Sequence, residues 1–386
     1  MNIKIKCILL MESNAFLLAL LTLILVITRL TLISDAPFVY NLDPYTYLTQ
    51  ARVFASSGTI QIGVGTPFII ALGVFLFIFG SSFGTIIASR LLMLLMTALA
   101  VIVIYLFGLK MSGKVFGFLA ALFAIFVPIF LSYSIVPHND VFAMAMGLAG
   151  LYLATSDSKL AYILSPIPVY IAIFVRPELS IVFVLPILIY SILKTLGNYS
   201  FKPFSRFVYY LCIYVVPILW VYNYANTFTR YGTLEKFTLF VTPNLISKTL
   251  FYTFSFYNSS VLNQVFMFFI IFGVILSISI FIFNLFKIQK QGRTRLILYS
   301  KTSMLKNLIL SDQAILVLMI GLVFALDVIA ITAYGYGYTI VDNKLEISSL
   351  TTERYLILPS LLLSYAFVYP LSVVVRKLWA VAIHGR

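Results

Sequence analysis

Apolar runs of membrane length recur along this chain from residue 8 to residue 375. They leave few folds open to it. The hydrocarbon core of a bilayer is about 30 Å thick, so a spanning helix takes about 20 apolar residues. Lipid offers the peptide group no hydrogen-bond partner, so the backbone must satisfy itself in helices or in a closed barrel. The runs here are continuously apolar, and none alternates as a barrel strand does. A mean hydropathy of +1.07 is too high for a soluble domain. The fold class is therefore all-α: a polytopic membrane helical bundle, read as a single domain over residues 1–386.

The runs divide into ten expected spans: 8–33, 85–109, 115–134, 140–156, 160–175, 179–195, 207–223, 264–286, 313–333 and 354–375. A further piece, 66–80, is short for a span and long for a loop. It either crosses or lies along the surface. Charge separates the two cases. With 66–80 on the surface, most of the 26 Lys and Arg residues, including the basic loop 287–312, fall on one side with few acids. Basic residues stay on the cytoplasmic side. The expected topology is thus ten spans in the cell membrane, both termini inside, and a surface-lying helix in the first outer loop. The net charge of +14 then belongs to topology and to contact with anionic membrane lipids, rather than to nucleic acid. The first run exceeds a signal-peptide core and lacks a small-residue cleavage site, so it reads as a retained span. Cys7 and Cys212 look like packing residues, without a disulfide or CxxC pattern.

This topology gathers Asp35, Asp43, Arg52, His138, Asp140, Arg176, Glu178, Glu353 and Arg354 on the outer face, with Arg29 and Arg90 at outer helix ends. Asp43 lies just past the first span. It is either a solvated acid capping a helix start or a general base for a hydroxyl proton. Asp140 follows Pro137-His138-Asn139. It caps the next helix, and with His138 it could assist Asp43. Asp43, His138 and Asp140 together would make a sparse site for a divalent metal, which is a possible cofactor. Arg176-Pro177-Glu178 forms a tight outer turn. A single interfacial arginine often only snorkels to headgroups. As a set, Arg90, Arg176 and Arg354, with Tyr355 beside it, match a phosphate, which the guanidinium fork binds bidentately. Tyr47, His138 and Glu178 are candidate supports. Asp327 is the one acid well inside a span. It is either functional or satisfied by a tyrosine such as Tyr334, Tyr336 or Tyr338. Tyr334-Gly-Tyr-Gly-Tyr338 reads as an outer turn whose aromatic residues anchor at the interface. No Walker, GxSxG, HExxH, Rossmann or zinc-spacing motif occurs, so ATP-driven transport and soluble-type hydrolysis have no support.

The ordered series Asp43-Pro-Tyr-Thr-Tyr47, Ala51, Gly58, then Thr66-Pro67 through Phe79-Gly80, resembles the first outer loop of the C superfamily of membrane glycosyltransferases (GT-C). The likeness is to the protein mannosyltransferase-like branch. Arg90-Leu91, Tyr105 with Gly108 to Gly113, Pro128 to Asp140, Arg176-Pro177 and Arg354-Tyr355 extend it in order along the chain. Pro44 stands where the family often has a second acid, and Gly65-Thr66 where some members carry a charge. The resembling module covers about residues 1–223, with further helices over about 224–386. The resemblance implies a polyprenyl-phosphate-sugar donor and a lipid, glycan or protein acceptor. It also implies inverting transfer at the extracytoplasmic face, with Asp43 and Asp140 catalytic and Arg90, Arg176, Arg354 and Tyr355 on the donor phosphate. Two other classes remain open from the residues alone: a secondary transporter or lipid-linked sugar flippase, and a noncatalytic scaffold. Charges collected at one face and the lack of an evident repeat favour the enzyme over the transporter.

Overall fold

The computed structural model describes residues 13–33, 42–60, 63, 65–198, 201–228, 241–255, 275, 312–334, 336–341, 344–350 and 356–384. In chain order these form α1 (Asn14–Ile33), α2 (Leu42–Ser57), α3 (Thr66–Phe83), α4 (Thr85–Ser112), α5 (Lys114–Ile125), α6 (Pro128–Tyr133) and α7 (Asn139–Ala154). Then come α8 (Lys159–Leu164), α9 (Pro166–Val175), α10 (Leu179–Asn198), α11 (Phe201–Phe228), α12 (Pro243–Ser255) and α13 (Asp312–Tyr334). A hairpin of β1 (Tyr336–Val341) and β2 (Lys344–Leu350) leads to α14 (Ile357–His384). The chain is thus the helical bundle that its apolar runs demand. Seven of the described helices, α1, α3, α4, α10, α11, α13 and α14, are long and apolar enough to cross a membrane.

Local chemistry explains where the helices depart from the expected spans. The runs 115–134, 140–156 and 160–175 form shorter apolar helices. In the first, α5 ends at Ile125 and α6 opens at Pro128, because proline lacks the N–H that would continue the ladder. In the third, Pro166 separates α8 from α9. The piece expected to lie on the surface, 66–80, continues through Ser81, Ser82 and Phe83 until Gly84 takes φ 75. At 18 residues it is long enough to cross, so length no longer separates it from a span. The expected turn at Tyr334–Tyr338 is instead the end of α13 followed by β1, which pairs antiparallel with β2 with Thr339 opposite Glu346. Aromatic and β-branched residues in Tyr336-Gly-Tyr-Thr-Ile-Val341 favour a strand over a turn. The expected span 264–286 and most of the basic loop 287–312 lie outside the described residues.

Close packing fixes the bundle. Gly117 on α5 faces Gly108 on α4, and a Cβ added at Gly117 would sit 2.6 Å from the Tyr105 carbonyl oxygen. Small residues at such crossings let backbones approach where no water drives helices together. Helix α5 packs in turn on α14, and α10 on both α11 and α13. The interior holds Leu21, Leu25, Tyr105, Phe107, Phe116, Phe130 and Phe183, all fully buried.

Arg29 is buried with them. The expectation put it at an outer helix end. Instead its Nη2 donates to the Ile125 carbonyl at 2.9 Å and its Nε to Ser134 Oγ at 2.6 Å. The break before Pro128 frees that carbonyl, and Arg29 satisfies it. Thr97 Oγ1 donates to the Ser134 carbonyl at 2.8 Å, which ties α4 to the same junction. Arg29→Met keeps most of the volume but strands the carbonyl and the hydroxyl. The expected loss is about 1–3 kcal/mol of stability per stranded group, read as a lower Tm of the purified protein in detergent.

Candidate functional site

Asp43 occupies the first turn of α2, where a carboxylate complements the free N–H groups and the positive end of the helix. Its side chain is 48% exposed. Tyr47 follows one turn later on the same helical face. The Tyr47 ring meets Phe68 of α3 edge-on at 5.4 Å and His138 at 6.1 Å, and its hydroxyl accepts from Asn139 Nδ2 at 2.9 Å. Tyr47 thereby docks α2 against α3 and α7. Gly65 completes the corner. It takes φ 86, its N–H donates to the Phe174 carbonyl at 3.0 Å, and a Cβ there would lie 3.4 Å from the Tyr47 ring. Glycine adopts this left-handed backbone without strain. Tyr47→Phe removes the acceptor of a buried amide. The expected loss is about 1–2 kcal/mol, seen as a lower Tm, with the α2 contact weakened.

The second segment supplies His138 and Asp140 at the start of α7. His138 is the residue before the helix, and Asp140 sits in its first turn. The His138 side chain is 2% exposed. Its Nδ1 lies 2.6 Å from Asp140 Oδ2 and 3.0 Å from Asn139 Oδ1, and its Nε2 lies 3.8 Å from Asp43 Oδ2. Asp140 thus lies on the Nδ1 side of the ring and Asp43 on the Nε2 side.

The third segment is the turn between α9 and α10. Arg176 ends α9 in an extended conformation, and the N–H groups of Leu179 and Ser180 close the turn on the carbonyls of Arg176 and Pro177. The Arg176 side chain is buried, and its Nη1 pairs with Asp140. Its Nε lies 2.5 Å from Glu178 Oε1, which Nη2 also reaches. A continuous chain of charge results: Asp43, His138, Asp140, Arg176, Glu178. Sequence reasoning placed all five on one face, and the structure brings them into contact.

Other candidates fall elsewhere. The Arg176 guanidinium, expected on a phosphate, is occupied by two carboxylates. Arg90 is buried on α4 and does not line the cleft described next. Arg354 and Tyr355 lie outside the described residues, as do Asp35 and Glu353. The possible divalent-metal site of Asp43, His138 and Asp140 does not form. The His138 nitrogens face the two acids separately, and among the described residues no three His, Cys, Asp or Glu side chains converge on one point.

Beside Asp140, Arg176 and Glu178 opens a cleft of about 450 Å³, including its open mouth. Its other walls are Met144, Leu179, Ala330, Ile331, Ile357 and Leu358. Asp327 of α13 also lines it and is 3% exposed. Sequence reasoning noticed Asp327 but built nothing on it. The usable signal was its isolation, since an acid inside an apolar span is expensive and marks function by default. Asn139, which fastens Tyr47, was named only as part of the stretch before Asp140.

The chain matches none of the known protein families, curated proteins or solved structures with which it was compared.

Proposed function

We propose that the chain is a membrane glycosyltransferase that moves a sugar from a polyprenyl-phosphate carrier to an acceptor hydroxyl, with inversion, at the extracytoplasmic face. The observation that carries this reading is the half-exposed Asp43 carboxylate, 3.8 Å from a buried imidazole that Asp140, Arg176 and Glu178 brace. One acid reaches incoming substrate, and the rest of the chain holds its neighbour in place.

Asp43 accepts the acceptor hydroxyl proton as that oxygen attacks the anomeric carbon. The bond from that carbon to the phosphate oxygen breaks, and polyprenyl phosphate leaves with the electron pair. The proton passes from Asp43 to water after the glycoside departs. His138, held by Asp140, places its Nε2 3.8 Å from Asp43. Arg176 is a positioning residue, because its fork neutralises Asp140 and Glu178. Charge on the departing phosphate is stabilised by guanidinium groups, and the resemblance offers Arg354 with Tyr355, and Arg90, for that part.

Mass spectrometry of lipid-linked sugars and glycans, from cells with and without the protein, tests this. Loss of the protein is expected to accumulate a polyprenyl-phosphate sugar and remove one glycan. Unchanged pools of both reject the proposal. A second reading, a transporter or lipid-linked sugar flippase, is favoured by one observation: Asp327 is buried inside an apolar helix. That reading has the carrier crossing the bilayer with its sugar still attached.

A further inference from the structure

Among the described residues the cleft carries three carboxyl groups, Asp140, Glu178 and Asp327, against one guanidinium, Arg176. Asp140 and Glu178 are both paired with Arg176. Asp327 makes no ion pair among the described residues, and its Oδ2 is buried with no hydrogen-bond partner there. A polar atom left in that state costs about 1–3 kcal/mol. A folded chain tolerates the penalty where a ligand removes it.

The surroundings say what kind of ligand. Among the described residues the carboxyl groups of the cleft outnumber its guanidinium, and such a wall disfavours contact with a phosphate. No metal-binding convergence exists among the described residues. Ile331, Ala330, Leu358 and Met144 give the cleft apolar walls, which suit the C–H face of a sugar ring. A sugar hydroxyl both donates and accepts, so it satisfies a carboxyl in either protonation state. A cation satisfies only the ionised form.

We propose that Asp327 is the sugar-recognising residue of this site, hydrogen-bonding ring hydroxyls of the transferred sugar while its ring packs on Ile331 and Leu358. The proposal rests on the glycosyl-transfer reading and adds the part of the substrate that this cleft takes. Asp327 selects among sugars, and Asp43 performs the proton transfer.

The experiment compares wild-type protein with Asp327→Leu, Asp327→Asn and Asp43→Asn, each purified in detergent. The probes are farnesyl phosphate and farnesyl-phosphate mannose, glucose and N-acetylglucosamine, and the readout is thermal shift against ligand concentration. In the wild type, one sugar-bearing carrier is expected to bind about tenfold tighter than the bare lipid phosphate. Asp327→Leu loses that tenfold gain, keeps binding of farnesyl phosphate, and has an unliganded Tm equal to or above wild type. Removing an unpartnered buried carboxyl relieves its penalty, whereas losing a structural one would lower Tm. Asp327→Asn, of the same shape, changes which sugar gives the gain or reduces it. Asp43→Asn retains the gain.

A sugar-dependent gain that survives in Asp327→Leu overturns the proposal and leaves the transferase reading standing. A lowered unliganded Tm in both Asp327 variants, with the gain intact in Asp327→Asn, also overturns it. A shift with magnesium or manganese alone that Asp327→Leu removes overturns it in favour of a cation site. No response of the wild-type protein to any farnesyl phosphate, with or without sugar, takes down the transferase reading and this proposal together.

Discussion

On the proposed glycosyl-transfer reading, Asp43→Asn is expected to abolish sugar transfer and to leave the protein folded. The amide keeps the shape of the carboxylate but cannot accept a hydroxyl proton, and a positioned general base contributes roughly 10²–10⁴-fold in rate. The fold does not depend on the charge. Asp43 is half-exposed, and asparagine serves a helix start as well as aspartate does. The check has two parts: the rate of glycoside formation, followed by mass spectrometry, and the Tm of the same preparation. Full activity in the variant removes Asp43 from the chemistry. A large fall in Tm would mean that the carboxylate braces the fold instead.

Arg176→Leu has the largest expected effect on stability. The guanidinium contacts Asp140 with one nitrogen and Glu178 with two others, and its side chain is 8% exposed. Removing it leaves two largely buried carboxylates facing each other without counter-charge. Breaking one side of such a buried pair costs about 3–5 kcal/mol. Arg176→Lys does not rescue it, because one ammonium on a flexible stem cannot serve two carboxylates in a fixed fork. Relieving the charge does: Asp140→Asn with Glu178→Gln, added to Arg176→Leu, recovers part of the lost Tm while activity stays absent. An unchanged Tm in Arg176→Leu contradicts the pairing described here.

These two outcomes bear on what the amino-acid order reveals. The helical bundle was legible because lipid leaves the backbone only one economical arrangement for continuous apolar runs. The boundaries were less so. Pro128 and Pro166 open new helices inside stretches that are apolar overall, and apolar counting does not register a missing N–H. The hairpin at Tyr336–Leu350 was lost because the glycines of Tyr334-Gly-Tyr-Gly-Tyr338 were weighed as turn residues, ahead of the β-branched residues that follow them.

The site shows the same division. Asp43, His138, Asp140, Arg176 and Glu178 were legible as a group, since topology alone puts short polar turns on one face. Their pairing was not. Nothing in Arg176-Pro-Glu178 says whether the fork points to a phosphate or to Asp140, because that depends on how α7 and α9 pack. The burial of Arg29 was hidden for a similar reason: the carbonyl it satisfies belongs to a helix end about a hundred residues away in sequence.

The most direct measurement uses the purified protein in liposomes containing a polyprenyl-phosphate sugar radiolabelled in the sugar, with an extract of the source cells added to supply the acceptor hydroxyl. The account predicts that the bond to phosphate breaks, releasing polyprenyl phosphate and labelled glycoside in equal amounts, and that Asp43→Asn stops both. Label that moves between leaflets with the carrier intact, at the same rate in wild type and Asp43→Asn, would contradict it.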